Sequence, residues 1–368
     1  MPLQSGVVGL PNVGKSTLFS ALTHMQIPIG AYPFTTVEPN VGVVPVPDAR
    51  LTEMSRILKP KKVIPASLRV VDIAGLIEGS HRGEGLGNQF LAQIRQVDAV
   101  IHVVRCFTNE QVSHISPRLD PVRDIGIVET EIILKDLETV TRRLERISKK
   151  ISMSDKEAVR EKQLLDRLVE NLNDGVPARN APVHENEASL MENLFLISAK
   201  PVLYVGNENE EDATSHRLKP ETLTLVEWAE ERDERVLILS ATLEQELTFL
   251  DTDEERKFFM DEWGLETSGL ERLVQKTYDL LNLITFFTTE SDHVQAWTVK
   301  RGTPAAQAAG VIHSDFERGF IKAEVYTSED LFTHGSVSDL RDRGLIHSHG
   351  KETIIQDGDV VTFHFRTP

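Results

Sequence analysis

One cysteine, Cys106, in a chain of 368 residues leaves no partner for an intrachain disulfide and fits a reducing compartment. No stretch approaches the roughly 18 apolar residues that a membrane span needs. Met1-Pro2-Leu3-Gln4 carries no basic region ahead of the first apolar strand, so no signal peptide is expected. These absences lead us to expect a soluble, cytoplasmic chain with no membrane contact; a monomer is expected as well, though none of these absences bears on it. Positive charge is also scarce, with 40 Lys and Arg against 57 Asp and Glu, a net of −17. That excludes nonspecific binding of nucleic acid by the whole surface. The deficit is uneven, because residues 135–167 hold 10 Lys and Arg against 7 Asp and Glu. Such a stretch reads as a solvated helix of mixed charge or as a local contact for RNA or the ribosome.

What the chain does have is concentrated near its start. A short apolar strand (Val7, Val8) runs into Gly9-x-x-x-x-Gly14-Lys15-Ser16, and an apolar helix pattern (Leu18, Phe19, Ala21, Leu22) follows. A glycine-rich loop between strand and helix lets backbone N–H groups curl round an anion, and the helix N-terminus adds partial positive charge. Lys15 is placed to reach the β- and γ-phosphates of a nucleoside triphosphate, and the Ser16 hydroxyl to ligate Mg²⁺.

Next comes a proline-dense loop, Pro28 to Pro39, containing Tyr32-Pro33-Phe34-Thr35-Thr36. In nucleotide switches a threonine of such a loop closes on Mg²⁺ and the γ-phosphate; Thr36 is the candidate and Thr35 its competitor. A strand over 67–72 ends in Asp72-Ile73-Ala74-Gly75. There Asp72 would hold a metal-bound water and Gly75 would offer its N–H to the γ-phosphate. Gly79, Gly83, Gly85 and Gly87 suit a second switch. A helix over 88–96 and a strand over 99–104 continue the alternation of a parallel sheet. His102, inside that strand, reads as a core histidine rather than a ligand.

From Ile133 the apolar residues Leu137, Val140, Leu144, Ile147 and Ile151 follow at spacings of three and four, a heptad seam. A second helical pattern (Leu165, Leu168, Leu172) stops at Asn173-Asp174-Gly175. An antiparallel helical hairpin is the economical reading; a long core helix is the alternative, disfavoured by its charged faces. Strands at 202–205 and 236–239 lead into Asn207-Glu208-Asn209-Glu210 and Ser240-Ala241-Thr242, at the sheet edge where a base would be read. A helix over 268–281 closes this part. Beyond Leu283 come strands at 285–288 and 360–365, one small-residue helix (304–309) and a turn at Asp357-Gly358-Asp359. His313, His334, His347 and His349 lack metal-binding spacing, so this end reads as a compact α+β binding module.

Four motifs in combination, GLPNVGKST (9–17), YPFTTVEPN (32–40), DIAGLIEG (72–79) and Asn207-x-Asn209-Glu210, resemble the Obg-like ATPase (YchF) family over essentially the whole chain. The resemblance implies an α/β fold with a Ras-like P-loop nucleotide-binding domain and a mainly parallel sheet (1–128 and 200–282). It also implies a helical coiled-coil hairpin insertion (129–199) and a C-terminal α+β β-grasp (TGS) domain (283–368). It implies an ATP-preferring hydrolase associated with ribosomes, with RNA contact through the hairpin and the TGS domain. By position, Asn12, Val13, Gly14, Lys15, Ser16 and Thr17 surround the phosphates, and Ser16, Thr36 and Asp72 serve Mg²⁺. Asn207 and Glu210 serve the base, with the backbone around Ser240, Ala241 and Thr242. Asn12 also matches a position that coordinates K⁺ in some relatives.

The base motif departs from the guanine-specific Asn-Lys-x-Asp. Glu208 brings charge where a lysine stem would cover the base, Glu210 is one methylene longer than aspartate, and Thr242 stands where GTPases often have lysine. ATP is therefore expected to bind more tightly than GTP. Leu76 follows Gly75 where a Ras-type GTPase has its water-orienting glutamine, so intrinsic turnover is expected to be slow. His114 is the candidate substitute for that glutamine. A GTP-preferring, nucleotide-gated binding module, in which hydrolysis only resets contact with RNA or the ribosome, is the alternative. A small-molecule kinase fits less well, since no arginine-rich lid is evident.

Overall fold

The computed structural model describes residues 3–24, 40–73, 86–109, 118–149, 156–215, 217–250, 252–290 and 292–366. The strands are β1 Gln4–Val8, β2 Val41–Pro45, β3 Lys62–Ile64, β4 Ser67–Asp72, β5 Ala99–Arg105, β6 Val202–Asn207, β7 Arg235–Leu239, β8 Leu283–Glu290, β9 His293–Lys300, β10 Phe320–Thr327, β11 His347–His349 and β12 Asp359–Phe365. The first helices are α1 Lys15–His24, α2 Ala49–Leu58, α3 Leu86–Gln96, α4 Pro121–Ser148 and α5 Lys156–Asn173. There follow α6 Ala188–Glu192, α7 Glu210–Ser215, α8 Pro220–Glu231, α9 Ala241–Thr248, α10 Asp253–Glu262 and α11 Gly269–Leu280. The last four are α12 Ala305–Ile312, α13 Ser314–Arg318, α14 Ser328–His334 and α15 Val337–Asp342.

One six-stranded sheet has the order β2-β4-β1-β5-β6-β7. Its members β1, β5, β6 and β7 run parallel, with Val7 opposite Ile101, Arg105 opposite Asn207 and Asn207 opposite Leu239. This register brings the carboxyl ends of the four strands to one edge. β5 is buried along its whole length, as a central parallel strand covered on both faces should be. His102 in β5 is buried against the Tyr204 ring, and burial lowers its pKa to about 4, so it is a neutral core residue.

The hairpin begins earlier than the heptad pattern suggests. Asp120 caps α4 by accepting from the Arg123 N–H at 3.0 Å, and Pro121 occupies the first turn, where its missing N–H costs nothing. Residues 121–124 are thus already helix. The first half of α4 packs into the sheet, with Ile125 against Val104, Cys106, Tyr204 and Leu225. The second half forms the expected seam: Ile133, Leu137, Val140, Leu144 and Ile147 meet Leu164, Leu165, Leu168 and Leu172 of α5. Ile151 lies outside the described residues.

Two polar ties fix the foot of the hairpin. The buried Asp136 carboxylate accepts from the Ile197 and Ser198 N–H groups at 3.0 and 2.6 Å. Arg179 donates to Glu129 at 2.6 Å, to Glu234 at 2.9 Å and to the Tyr204 hydroxyl at 2.9 Å.

By its internal contacts the chain divides into two compact units, one containing 70–269 with the start of the chain, the other containing 43–69 and everything from 270 onward. The second unit holds the other six-stranded sheet, β11-β10-β12-β8-β9-β3. β8 and β9 form an antiparallel hairpin, β12 joins β8 in parallel, and β3 pairs with β9 with Lys62 opposite His293. One face packs Ile284, Phe286, Val299, Val325 and Val361 on Ala305 and Ala308 of α12. On α2, Arg50 donates to Asp48 and Asp357, both at 2.8 Å, and lies 5.4 Å from the Phe287 ring centroid. Asp357 in turn accepts from the Thr285 N–H at 2.9 Å. Four helices (α12 to α15) accompany these strands where the sequence suggested one. Ser328–His334 and Val337–Asp342 are too short to show a periodicity.

Arg179→Ala should destabilise the chain by about 3–5 kcal/mol, because it leaves two largely buried carboxylates without their cation. Urea denaturation of the variant checks this; a loss under about 1 kcal/mol would mean the network contributes little.

Candidate functional site

A cleft of about 620 Å³ opens at the carboxyl edge of the parallel strands. Its wall comes from the loops that follow β1, β5, β6 and β7. Open parallel sheets place ligands at this edge because the strand ends and helix N-termini converge there.

The loop after β1 is held in shape by two glycines. A Cβ on Gly9 would stand 2.4 Å from the Val103 carbonyl oxygen. Gly14, at φ +97°, would drive a Cβ to 2.2 Å from the Asn207 Nδ2. Lys15 is only 9% exposed, and its ammonium donates to the carbonyls of Gly9 at 3.0 Å and Leu10 at 2.7 Å. An ammonium has three donors, so one remains for a ligand oxygen. Burial lowers the Lys15 pKa to about 8, partly countered by the negative charge of Asp72. Ser16 and Thr17 occupy the first turn of α1, where N–H groups have no intrahelical partner, and both line the cleft. Asp72 closes β4; burial raises its pKa and the Lys15 charge lowers it.

Asn207 closes β6 and is buried. Its Nδ2 donates to the Val13 carbonyl at 3.0 Å, and its Oδ1 accepts from the Ala241 N–H at 2.8 Å. One amide thereby ties the phosphate loop to the start of α9. Each of these groups, the amide nitrogen and the amide oxygen, keeps one further hydrogen-bonding position. Ser240 is the buried cap of α9, with Oγ facing the Leu243 N–H, so it lies behind the cleft, as does Val13. Ala241 and Thr242 line it. Glu210 opens α7 on the same wall, its pKa raised first by burial and then by Glu246 and Glu211.

Glu208 departs from expectation. Instead of lying where a lysine stem would cover a base, its side chain is turned into the wall, 5% exposed, with Oε2 accepting from the Thr222 hydroxyl at 3.3 Å. Thr222 on α8 offers a buried hydroxyl that the local sequence could not reveal.

Of the residues singled out from sequence, Asn12, Gly14, Lys15, Ser16, Thr17, Asn207, Glu210, Ala241 and Thr242 meet round one cleft. Thr36, Gly75 and His114 lie outside the described residues. Sequence reasoning missed Phe107, Thr108 and Asn109, which also line the cleft. Arg105 shapes that loop: its guanidinium lies 4.4 Å from the Phe107 ring centroid and donates to the Phe107 and Asn109 carbonyls. The available signal was position, directly after a fully buried strand that lies between β1 and β6, whose following loops line the same cleft.

A family model described as a 50S ribosome-binding GTPase matches residues 4–159, and a YchF-GTPase C-terminal model, described as a protein of unknown function, matches 283–366. The chain is 43% identical to the ribosome-binding ATPase YchF of Bacillus subtilis, over 99% of this chain and 100% of that one. The chain belongs to the YchF family. It is 42% identical to the Escherichia coli O157:H7 YchF over 99% of both chains. The solved structure of the Schizosaccharomyces pombe YchF GTPase superposes with a TM-score of 0.90 at 35% identity, covering 98% of this chain and 97% of that one. The YchF fold is therefore that of the P-loop nucleotide hydrolases. Among the described residues no helix is long and apolar enough to cross a membrane.

Asn207→Ala should lower the melting temperature of the nucleotide-free protein, because it strips partners from two buried backbone groups, at about 1–3 kcal/mol. It should also weaken binding of inorganic tripolyphosphate, which has no base. A residue that only read the base would leave both unchanged.

Proposed function

We propose that this chain is an ATPase whose slow hydrolysis resets a conformational switch acting on the ribosome. The observation that carries the reading is the cleft itself. A buried lysine with one donor to spare and the open end of α1 face the same space as the Asn207–Ala241 wall. Relatives that match over the full length are named ribosome-binding ATPases, which supports the output and the partner.

In this reading the triphosphate lies along the loop from Gly14 to Thr17, with Lys15 against its terminal oxygens. The half-buried ring of Phe107, backed by Arg105, offers a stacking face for a purine. The Ser16 hydroxyl and the Asp72 carboxylate are hard oxygen donors of the kind Mg²⁺ prefers, so the residues present fit that ion. Thr36 is the proposed third group. Bound there, Mg²⁺ would offset charge on the phosphates. K⁺ at Asn12 is part of the same proposal; Asn12 lines the cleft in a left-handed conformation, φ +61°. Leu76 leaves the attacking water without an orienting amide, and His114 is proposed to supply that role when the ribosome is engaged.

The hairpin, basic over 135–167, is the proposed RNA-facing part, together with the C-terminal unit, read as a TGS domain. Thr139, Arg142, Arg143, Arg146 and Asn193 line a hollow of about 360 Å³ on the hairpin, although Glu157 and Glu161 share it. The chain is proposed to work as a cytoplasmic monomer.

Lys15→Ala should abolish ATP binding and turnover; normal hydrolysis by that variant would overturn the reading. Wild-type turnover without ribosomes should fall well below the roughly 1–100 s⁻¹ of kinases. His114→Ala should lose the acceleration that ribosomes give, and unchanged rates with and without them would remove His114 from the mechanism. Calorimetric titration should give tighter binding of ATP than GTP, and tenfold tighter GTP would favour the GTP-preferring module instead.

A further inference from the structure

We propose that the second unit carries a site for a free apolar α-amino acid, in a hollow on the sheet face turned away from α12. The proposal stands apart from the nucleotide cleft and does not depend on it.

Alternation along the strands sets the floor. Phe286, Val299, Val325 and Val361 pack towards α12, so the residues of opposite parity on the same strands face the other way. Glu324 stands opposite Thr362, and Thr289 opposite Val294, on the adjacent strands β10, β12, β8 and β9. All four line the hollow. Helix α2 covers part of this face, where Arg50 lies over Phe287. Its last residue, Leu58, reaches the hollow. Lys59 then takes a left-handed conformation, φ +47°, and Pro60 stands beside Leu58 in the same wall. Val337 and Arg341, one turn apart on α15, supply more of the wall. The hollow measures about 340 Å³. Ligand pockets run from roughly 300 to 1,000 Å³, so this one takes a small molecule rather than a nucleoside triphosphate.

The lining is apolar except where it carries charges of both signs. Glu324 Oε1 accepts from Lys322 at 2.7 Å and lies 3.4 Å from the His364 Nε2; Oε2 has no hydrogen-bond partner among the described residues. The Lys322 hydrogen bond holds this carboxyl below the usual range, so it is ionised at neutral pH and keeps one oxygen for a cation. The Arg341 guanidinium makes no hydrogen bond or ion pair among the described residues, so its fork is open to a carboxylate. On the floor the Tyr326 and Thr289 hydroxyls lie 3.3 Å apart. Whichever of them donates to the other, one proton is left over.

These groups select by charge and by polarity. Glu324 repels an anion and Arg341 a cation, and a polyol would leave Leu58, Pro60, Val294 and Val337 against polar atoms. A molecule with an ammonium, a carboxylate and a hydrocarbon side chain meets all three demands. The free apolar amino acids are that class.

The test titrates L-valine, L-leucine, L-isoleucine and L-methionine separately into the full chain by calorimetry. At least one should bind with a dissociation constant of about 1 mM or below, and failure of all four at that level would overturn the proposal. For the amino acid that binds most tightly, the amide lacks the carboxylate and the desamino acid lacks the ammonium. Each should bind at least about tenfold more weakly, the worth of one charge-assisted hydrogen bond. Equal binding of either analogue would overturn the reading, because one charge would then go unread. Arg341→Ala should weaken the amino acid at least about tenfold and leave its amide unchanged. Glu324→Gln should weaken the amino acid and leave the desamino acid unchanged. Variants that bind the amino acid like the wild type would remove these residues from the site and overturn the proposal. A tripeptide ending in the same residue, if it bound as tightly, would assign the hollow to a protein C-terminus instead. Should a variant not fold, the analogue series on the wild type decides alone.

Discussion

The amide of Asn207 is the contact on which the cleft depends. It spans from the Val13 carbonyl to the Ala241 N–H, joining loops that are far apart in the chain and come together only because β1, β5, β6 and β7 lie side by side. The parallel register sets Asn207 level with Arg105 and Leu239, so the loops beyond these strands leave the sheet at one height. Gly14 follows from the same contact. Any side chain there would enter the space the amide occupies, which makes that glycine a packing requirement as well as a conformational one.

Charge in the cleft is sorted along its length, against the sign of the chain as a whole. Lys15 and the open end of α1 bring positive charge to one part of the cleft lining, while Glu210 and Glu211 bring negative charge to another. A net charge of −17 does not prevent a polyanion from binding, because salt screens distant charges beyond roughly 8–10 Å. Buried donors next to the ligand are screened far less. Lys15 is kept from water by its own loop and bonded to two of that loop's carbonyls, so it is oriented before any ligand arrives.

The stretch 43–69 has a structural role that its place in the chain does not suggest. It lies between the two proposed switch segments and groups with the C-terminal unit, through β3 beside β9 and through Arg50 on Asp357. It leads directly into β4, the strand that ends in Asp72. In sequence, the strand that ends in Asp72 is thus continuous with an element of the second sheet.

The sequence by itself determined the phosphate loop, the parallel alternation around it and the hairpin seam. Each is a local signal: glycines between a strand and a helix, apolar runs of strand length, a heptad spacing. It also named most of the residues that line the cleft, because ligand residues in such folds follow the strands directly. Tertiary structure alone decided that Asn207 is a tie between loops, that Glu208 turns to Thr222, that Phe107 faces the cleft and that β3 belongs to the second sheet. Those outcomes rest on partners tens to hundreds of residues away, selected by strand register and side-chain packing, and no local pattern of residue types encodes them.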